Sequence, residues 1–171
     1  MTQCFGLLGL SGSPCRGSNS TTVLRGLQDA LAPRVALDIY LLSGTPLYNA
    51  DDDGVIMISP EYNHGMSGVL KNALDRASRP HGRSALKGMP VLTMTASPAF
   101  AGGVRLRQQM NETIASIPAR LVFRPQIAIG GVDEKVRDGH LVDETSLRFA
   151  LAGIDDLLDE IRAAWPLGPA A

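Results

Sequence analysis

The chain has few cysteines, few aromatic residues and almost no net charge, and each shortage excludes a class of protein. Its 171 residues include only Cys4 and Cys15, too few for a disulfide framework or a tetrahedral zinc site. Aromatic residues make up 5%, which argues against single-stranded nucleic-acid binding by base stacking. Sixteen Lys and Arg residues stand against 17 Asp and Glu. This balance leaves no basic excess for nucleic acid or for an anionic membrane surface.

Long apolar runs are also missing, and none approaches the ~20 residues that a membrane helix needs. The first residues, Met1–Phe5, lack the basic start and small-residue cleavage site of a signal peptide. The histidines His64, His81 and His140 are scattered, with no partner at metal-ligand spacing. We therefore expect a cytoplasmic protein with no membrane segment and no metal site.

The length and the 44% apolar fraction suit one domain over residues 1–171, with a core of its own. Short apolar runs predict strands at Phe5–Leu10, Val35–Leu42, Gly54–Ser59, Met89–Ala96 and Leu121–Ile129. Helical periods predict helices through Val23–Leu31, Met66–Ser78, Leu106–Ile117 and Leu147–Ile161, the last with Asp143 as its cap. Strands that alternate with helices indicate an α/β fold with a doubly wound parallel sheet. We predict five strands in the order 2-1-3-4-5, an arrangement that binds ligands at the carboxyl ends of its strands.

One connection departs from this pattern. Eleven residues separate Leu42 from Gly54, and they show no helical period. A parallel crossover normally takes a dozen or more residues and usually contains a helix. We therefore expect a shortened connection between the second and third strands, without a crossover helix.

The loop after the first strand has the composition of a phosphate cradle. It opens a helix, whose first N–H groups and dipole favour an anion. Its polar side chains are Ser11, Ser13, Arg16, Ser18, Asn19 and Ser20. Gly12 and Gly17 have P-loop spacing, but the required Lys is replaced by Ser18, so NTP hydrolysis is not indicated. The alternative is a polar loop that only caps the helix with Ser18 or Asn19.

The loops after the third and fourth strands carry weaker signals. Pro60–Met66 combines a rigid proline with residues that tolerate positive φ and one aromatic, Tyr62, so it could present backbone N–H groups to a planar ring. A tight turn with Tyr62 in the core explains it equally well. Ser97–Gly103 ends in paired glycines, which permit either a turn or close approach to a ligand.

Three other features have ordinary explanations. Cys15 could be a reactive thiol at a helix N-terminus, although a small loop residue is the simpler interpretation. His64 could be a general acid or base, although a loop histidine beside a turn glycine is typical of a surface residue. The acidic run at 51–53 could attract a cation, although it is also typical of a solvated turn. No Gly-x-Ser-x-Gly elbow is present, which argues against a serine hydrolase.

Three stretches resemble the NAD(P)H-dependent FMN reductase family, a flavodoxin-like group that includes bacterial quinone, chromate and azo reductases. They are Gly-Ser-Pro-Cys-Arg-Gly-Ser-Asn-Ser after strand one, Ser-Pro-Glu-Tyr-Asn-His-Gly after strand three, and Gly-Val-Leu-Lys-Asn-Ala-Leu-Asp-Arg-Ala-Ser-Arg-Pro in the next helix. The resemblance runs from about Phe5 to Trp165 and is sharpest over Ser59 to Pro80. The short connection between strands two and three departs from the family.

The resemblance implies a set of FMN contacts. The phosphate and ribityl chain would be held by Ser11, Ser13, Arg16, Ser18, Asn19 and Ser20. The isoalloxazine would be lined by Pro60, Glu61, Tyr62, Asn63 and His64, and closed on its far side by Ser97, Ala101, Gly102 and Gly103. No protein residue is expected to be catalytic, because the flavin carries the chemistry. NADPH or NADH would be the co-substrate, and relatives pair up, which implies a homodimer or homotetramer.

We therefore expect an FMN-dependent oxidoreductase that takes hydride from NAD(P)H and passes electrons to a quinone-like, azo, metal-oxyanion or free-flavin acceptor. One alternative is a flavodoxin-type electron carrier without turnover, although such carriers are strongly acidic and this chain carries a net charge of −1. Another is a flavin-free binding or scaffold protein of the same fold. The sequence leaves open the acceptor, the preferred nicotinamide and the choice between dimer and tetramer.

Overall fold

The chain is built around a parallel β-sheet, seen in a computed structural model that describes residues 5–15, 17–32, 34–42 and 52–164. Its strands are β1 (Phe5–Ser11), β2 (Val35–Leu41), β3 (Gly54–Ser59), β4 (Pro90–Ala96), β5 (Arg120–Leu121) and β6 (Ile127–Ile129). They run in the order β2-β1-β3-β4-β5, with β6 also paired to β4. Each of these pairings is parallel. The predicted fold class and strand order are confirmed.

Helices cover both faces of the sheet. They are α1 (Asn19–Leu31), α2 (Gly68–Ala77), α3 (Val104–Ser116), the short α4 (Val132–Lys135) and α5 (Glu144–Ala164). One apolar core joins α1 and α5 to the sheet, and a second joins α2 and α3 to the opposite face. Strands β3 and β4 are buried along their whole length, as central strands covered on both sides must be. No helix in the described ranges has both the length and the apolar character for crossing a membrane.

Capping side chains set the helix starts that matter here. The Ser18 hydroxyl accepts a hydrogen bond from Thr21 N and caps α1, so one of the two predicted caps is confirmed. Asp143 caps α5 as predicted, accepting from Ser146 N at 2.8 Å. Hydrogen bonds from Ser146 hold the pKa of the Asp143 carboxyl below its usual value.

The predicted fifth strand, Leu121–Ile129, is wrong as one continuous strand. It is divided into β5 and β6 by residues 122–126. Pro125 has no N–H to donate to a ladder. Arg124 leaves the strand path, pairing with Asp156 of α5 at 2.7 Å and lying over the Phe149 ring. These contacts hold the interruption in place.

Two small elements between β6 and α5 were not predicted from the sequence. They are α4 and a hairpin of β7 (Val136–Arg137) and β8 (His140–Leu141). The hairpin packs against α1, where a Cβ at Gly26 would lie 2.9 Å from Leu141 N. This contact explains the glycine within the helix. The expected shortened connection between β2 and β3 falls mostly on residues 43–51, outside the described residues.

Candidate functional site

The three loops of unusual composition meet at one edge of the sheet. Strands β1, β3 and β4 are parallel neighbours, so their carboxyl ends point the same way and α1, α2 and α3 begin there. Gly12 N donates to Ile58 O at 2.7 Å, and the Ser67 hydroxyl donates to Gly12 O at 2.5 Å. The first two loops are therefore joined by hydrogen bonds that fix their relative position.

The contact between the first two loops also requires the backbone to approach closely at Gly12. A Cβ at this position would overlap the Ser59 side chain, and it would lie only 3.0 Å from Ser59 Cα. Only glycine permits the β1 loop to lie this close to the end of β3. Sequence reasoning noted Gly12 only for its P-loop spacing and not for this role.

The predicted phosphate residues divide into engaged and unengaged side chains. Ser11 is buried and accepts a hydrogen bond from the Thr21 hydroxyl at 2.9 Å, and the buried Ser13 accepts from Cys15 N at 3.4 Å. Ser18 caps α1. Ser20 is fully buried, and its hydroxyl has no hydrogen-bond partner among the described residues. Arg16 lies outside the described residues.

Asn19 has a partner that the sequence did not predict. Its side-chain nitrogen donates to the Asp133 carboxylate of α4 at 2.6 Å, across 114 residues of chain. This contact brings α4 to the phosphate loop and places a negative charge beside it. A contact between residues so far apart in the chain produces no local sequence pattern from which it could be predicted.

The second loop forms a tight turn. Tyr62 and Gly65 exchange two backbone hydrogen bonds of 3.0 and 2.9 Å, and the two residues between them, Asn63 and His64, have φ of 49° and 66°. Tyr62 is 45% exposed. The alternative that tucked this aromatic into the core is wrong, and its ring is free to face a ligand.

Glu61 ties this turn to α3. Its Oε2 accepts a hydrogen bond from Leu106 N at 3.2 Å, in the first turn of the helix, where the dipole favours a carboxylate. Its Oε1 lies 3.4 Å from His64 Nδ1, and Arg105 Nη1 lies 2.7 Å from the same nitrogen. Glu61 is thus engaged within the protein, whereas His64 and Arg105 form an exposed basic pair at the rim. Pro60 contributes its carbonyl, which accepts from the Ser59 hydroxyl at 3.1 Å.

The third loop is shaped by glycine. Gly102 and Gly103 have φ of 64° and 89°, and Gly103 is the N-cap residue of α3. A Cβ on Gly102 would lie 2.8 Å from Gly130 N, so the loop packs against the chain after β6. Ser97 is buried and its hydroxyl accepts from Ala99 N at 3.2 Å, while Ala101 is exposed. The glycines therefore serve close packing and leave the surface at Ala101 open.

Three buried polar groups at this edge have no hydrogen-bond partner in the described part of the chain: the Ser20 hydroxyl, the Thr95 hydroxyl and Arg107 Nε. Thr95 is near the end of β4, and Arg107 is in the first turn of α3. Buried polar groups are normally paired, so such a concentration indicates a site that a ligand completes. The loop at a helix N-terminus with a spare hydroxyl fits a phosphate, and the exposed Tyr62 fits the face of a flavin ring.

A cleft of about 520 Å³ lies at the other edge of the sheet, between the C-terminal parts of α2 and α3. Its lining includes Lys71, Arg79, His81 and Glu112. None of the predicted site residues lines it. Within the described ranges, no group of three or more His, Cys, Asp or Glu side chains is arranged to hold a metal ion.

Comparison with solved structures places the chain among flavodoxin-like proteins. A structure of FerB, a flavoenzyme NAD(P)H:(acceptor) oxidoreductase from Paracoccus denitrificans, superimposes with a TM-score of 0.81 at 23% identity, covering 94% of this chain and 98% of that one. A flavodoxin from Pseudomonas aeruginosa superimposes with a TM-score of 0.65 at 12% identity, covering 92% and 99%. At these identities the likeness establishes the fold.

The sequence itself establishes the family. The family model described as NADPH-dependent FMN reductase matches residues 6–134, and the chain belongs to that family. A quinone reductase of Pseudomonas putida is 27% identical over 174 residues, covering 91% of this chain and 94% of the relative. An NAD(P)H-dependent FMN reductase of Pseudomonas aeruginosa is 28% identical over 164 residues, covering 84% and 88%. The expected FMN- and NAD(P)H-dependent oxidoreductase is confirmed at the level of the family.

Proposed function

We propose that this chain binds FMN across the carboxyl edge of its sheet and uses NADPH or NADH to reduce a quinone-like small molecule. The observation that carries the proposal is the meeting of three loops at one edge. There, the buried hydroxyls of Ser20 and Thr95 have no hydrogen-bond partner within the described ranges of the chain. The relatives named quinone reductase support the acceptor class.

The phosphate end of the site would be formed by the α1 N-terminus with Ser13, Ser18 and Ser20. Helix N–H groups and the dipole bind the phosphate charge, and the Ser20 hydroxyl donates the hydrogen bond it lacks within the protein. The same site includes Ser11, Arg16 and Asn19, as the resemblance implies. Asn19 is held by Asp133, so its role is to close the loop.

The ring end of the site would be formed by the turn at 60–65 and the loop at 97–103. Tyr62 offers an apolar face, and the starts of α2 and α3 direct positive dipole ends to this edge. FMN, when bound, supplies the acceptance of hydride and the delivery of electrons. The protein orients the reactants and stabilises developing negative charge, so no general acid or base is needed.

The test is reconstitution followed by turnover. Purified protein should retain FMN and quench its fluorescence. Under anaerobic conditions it should sustain turnover of NADPH or NADH only when both FMN and a quinone such as 1,4-benzoquinone are present. Ser20→Ala should weaken FMN binding, whereas Ser116→Ala, at the far end of α3, should not. Protein that retains no FMN contradicts the proposal. FMN binding without NAD(P)H oxidation would favour the electron carrier.

We also propose a single domain over residues 1–171, a cytoplasmic location and a homodimer or homotetramer. Phe100 and Phe123 are fully exposed, and exposed apolar side chains of this size support an interface with a second copy. Light scattering on a sizing column tests the assembly, and cell fractionation tests the location.

A further inference from the structure

Arg107 is an unusual arginine because it is buried and its Nε has no partner in the part of the chain that the structure describes. Only 5% of its surface is exposed, and its Nε is buried with no hydrogen-bond partner among the described residues. Arg124 shows the ordinary solution, since it pairs with Asp156 at 2.7 Å and lies over the Phe149 ring. Burial of an unpaired charge is costly, and in natural proteins a buried charge is normally paired.

The surroundings of Arg107 further destabilise its charged form. Burial, and to a lesser degree the nearby Arg124 guanidinium, lower the pKa of Arg107 from its usual value. Of the carboxylates described above, Glu61 contacts Leu106 N and His64. The Asp156 carboxylate forms an ion pair with Arg124. Since neither of these carboxylates is paired with Arg107, an anionic ligand could supply the negative charge that Arg107 lacks among the described residues.

The position of Arg107 shows where that charge would lie. Long side chains in a helix lean toward its N-terminus, so the Arg107 side chain runs toward the carboxyl edge of the sheet. Gly103, one turn earlier, is close to both Thr95 and Glu61. One turn later, Asn111 contacts the Thr93 hydroxyl at 2.8 Å, which places this flank of α3 over β4. The helical spacing from Gly103 to Asn111 therefore places Arg107 on the flank of α3 that covers β4 near Thr95, whose hydroxyl also lacks a partner among the described residues.

We propose that Arg107, with Thr95 as a second donor, stabilises the negative charge that two-electron reduction places on the flavin ring. This inference rests on the proposed function. A hydride carries two electrons and one proton; its transfer from NAD(P)H leaves NAD(P)⁺ and adds one negative charge to the ring, with no other proton taken up. A fixed positive charge in a water-poor site favours that product. Arg107 therefore raises the reduction potential of bound FMN and binds the reduced form more tightly than the oxidised form.

The experiment compares the two redox states of FMN bound to the same full-length protein. Dissociation constants for oxidised FMN and for dithionite-reduced FMN are measured anaerobically, and the midpoint potential is measured independently by spectroelectrochemistry. Arg107→Met removes the charge. Arg120→Met is the matched control, because Arg120 is a half-exposed arginine paired with Glu160 near the opposite edge of the sheet.

We expect Arg107→Met to weaken binding of reduced FMN about tenfold more than binding of oxidised FMN. A tenfold difference corresponds to a potential lower by about 30 mV for two electrons. Arg107→Lys should retain most of the wild-type potential, and Thr95→Val should lower it by a smaller amount. Arg120→Met should leave both dissociation constants and the potential unchanged.

The outcomes separate this inference from the proposed function. If wild-type protein fails to bind FMN, the proposed function fails first. If wild type binds FMN but Arg107→Met weakens both redox forms equally, or leaves the potential unchanged, the electrostatic role is refuted and the proposed function stands. Should Arg107→Met fail to fold, as far-UV circular dichroism would show, Arg107→Lys and Thr95→Val decide the matter. Thr95→Val with the wild-type potential would then count against the inference.

Discussion

Replacing Ser20 by alanine should stabilise the apoprotein and weaken FMN binding at the same time. The hydroxyl is fully buried, and no described residue forms a hydrogen bond with it. A buried polar group without a partner costs about 1–3 kcal/mol. Removing one oxygen leaves a void too small to cost more than about 1 kcal/mol. The expected balance is a gain of about 1–2 kcal/mol in the free energy of unfolding of the FMN-free protein.

The effect on the ligand should have the opposite sign. A hydrogen bond to a charged group contributes roughly 1.5–3 kcal/mol, so its loss should raise the dissociation constant for FMN roughly 10- to 150-fold. Riboflavin, which has no phosphate, should be affected much less. Urea unfolding of the apoprotein measures the first effect, and fluorescence titration with FMN and riboflavin measures the second.

Ser67→Ala is the control for stability. Ser67 is also a buried serine, but its hydroxyl caps α2 by accepting from Leu70 N at 3.2 Å and donates to Gly12 O at 2.5 Å. Its removal should cost about 1–2 kcal/mol, the usual price of a lost N-cap. The reasoning is refuted if Ser20→Ala destabilises the apoprotein as Ser67→Ala does, or if it leaves the FMN dissociation constant unchanged.

Three further predictions test other parts of the structure. Gly12→Ala should lower the free energy of unfolding by about 1–3 kcal/mol, because its Cβ would overlap Ser59; a wild-type urea midpoint would contradict this. Asp133→Asn removes a carboxylate next to the phosphate loop while keeping a partner for Asn19, so FMN should bind several-fold tighter at low salt and the gain should shrink at high salt. Asp143 has a lowered pKa in the folded state, so it stabilises the fold above its unfolded value of 3.8 and loses that contribution as the pH falls through the lowered pKa. The stability difference between wild type and Asp143→Asn should therefore diminish below pH 3.8, as urea unfolding at pH 6 and pH 3 would show.

The sheet and its three site loops could be predicted because their causes are local. Apolar runs without alternation, such as Gly54–Ser59, indicate strands buried on both faces, and the structure gives this strand the same bounds. Once the strand order is set, the loops after β1, β3 and β4 must meet. The polar composition of those loops is the basis on which we propose the site there.

The features that sequence reasoning missed depend on distant contacts. Asn19 and Asp133 are 114 residues apart, and only the packing of α4 against the phosphate loop brings them together. The break between β5 and β6 depends on Arg124 reaching α5, which a strand-like pattern over Leu121–Ile129 conceals. Arg107 gave no signal, because arginine on the flank of an amphipathic helix is ordinarily exposed.

The distribution of unpaired groups ties these observations to function. The side-chain groups of Ser20, Thr95 and Arg107 that lack partners in the described part of the chain belong to three elements that are far apart in sequence, yet all three lie at the carboxyl edge. A ligand bound at this edge would supply partners for all three groups. Functional sites are often locally less stable than the rest of a fold, and ligand binding then stabilises them. FMN should therefore raise the melting temperature in proportion to the logarithm of its free concentration, and by less in Ser20→Ala than in wild type.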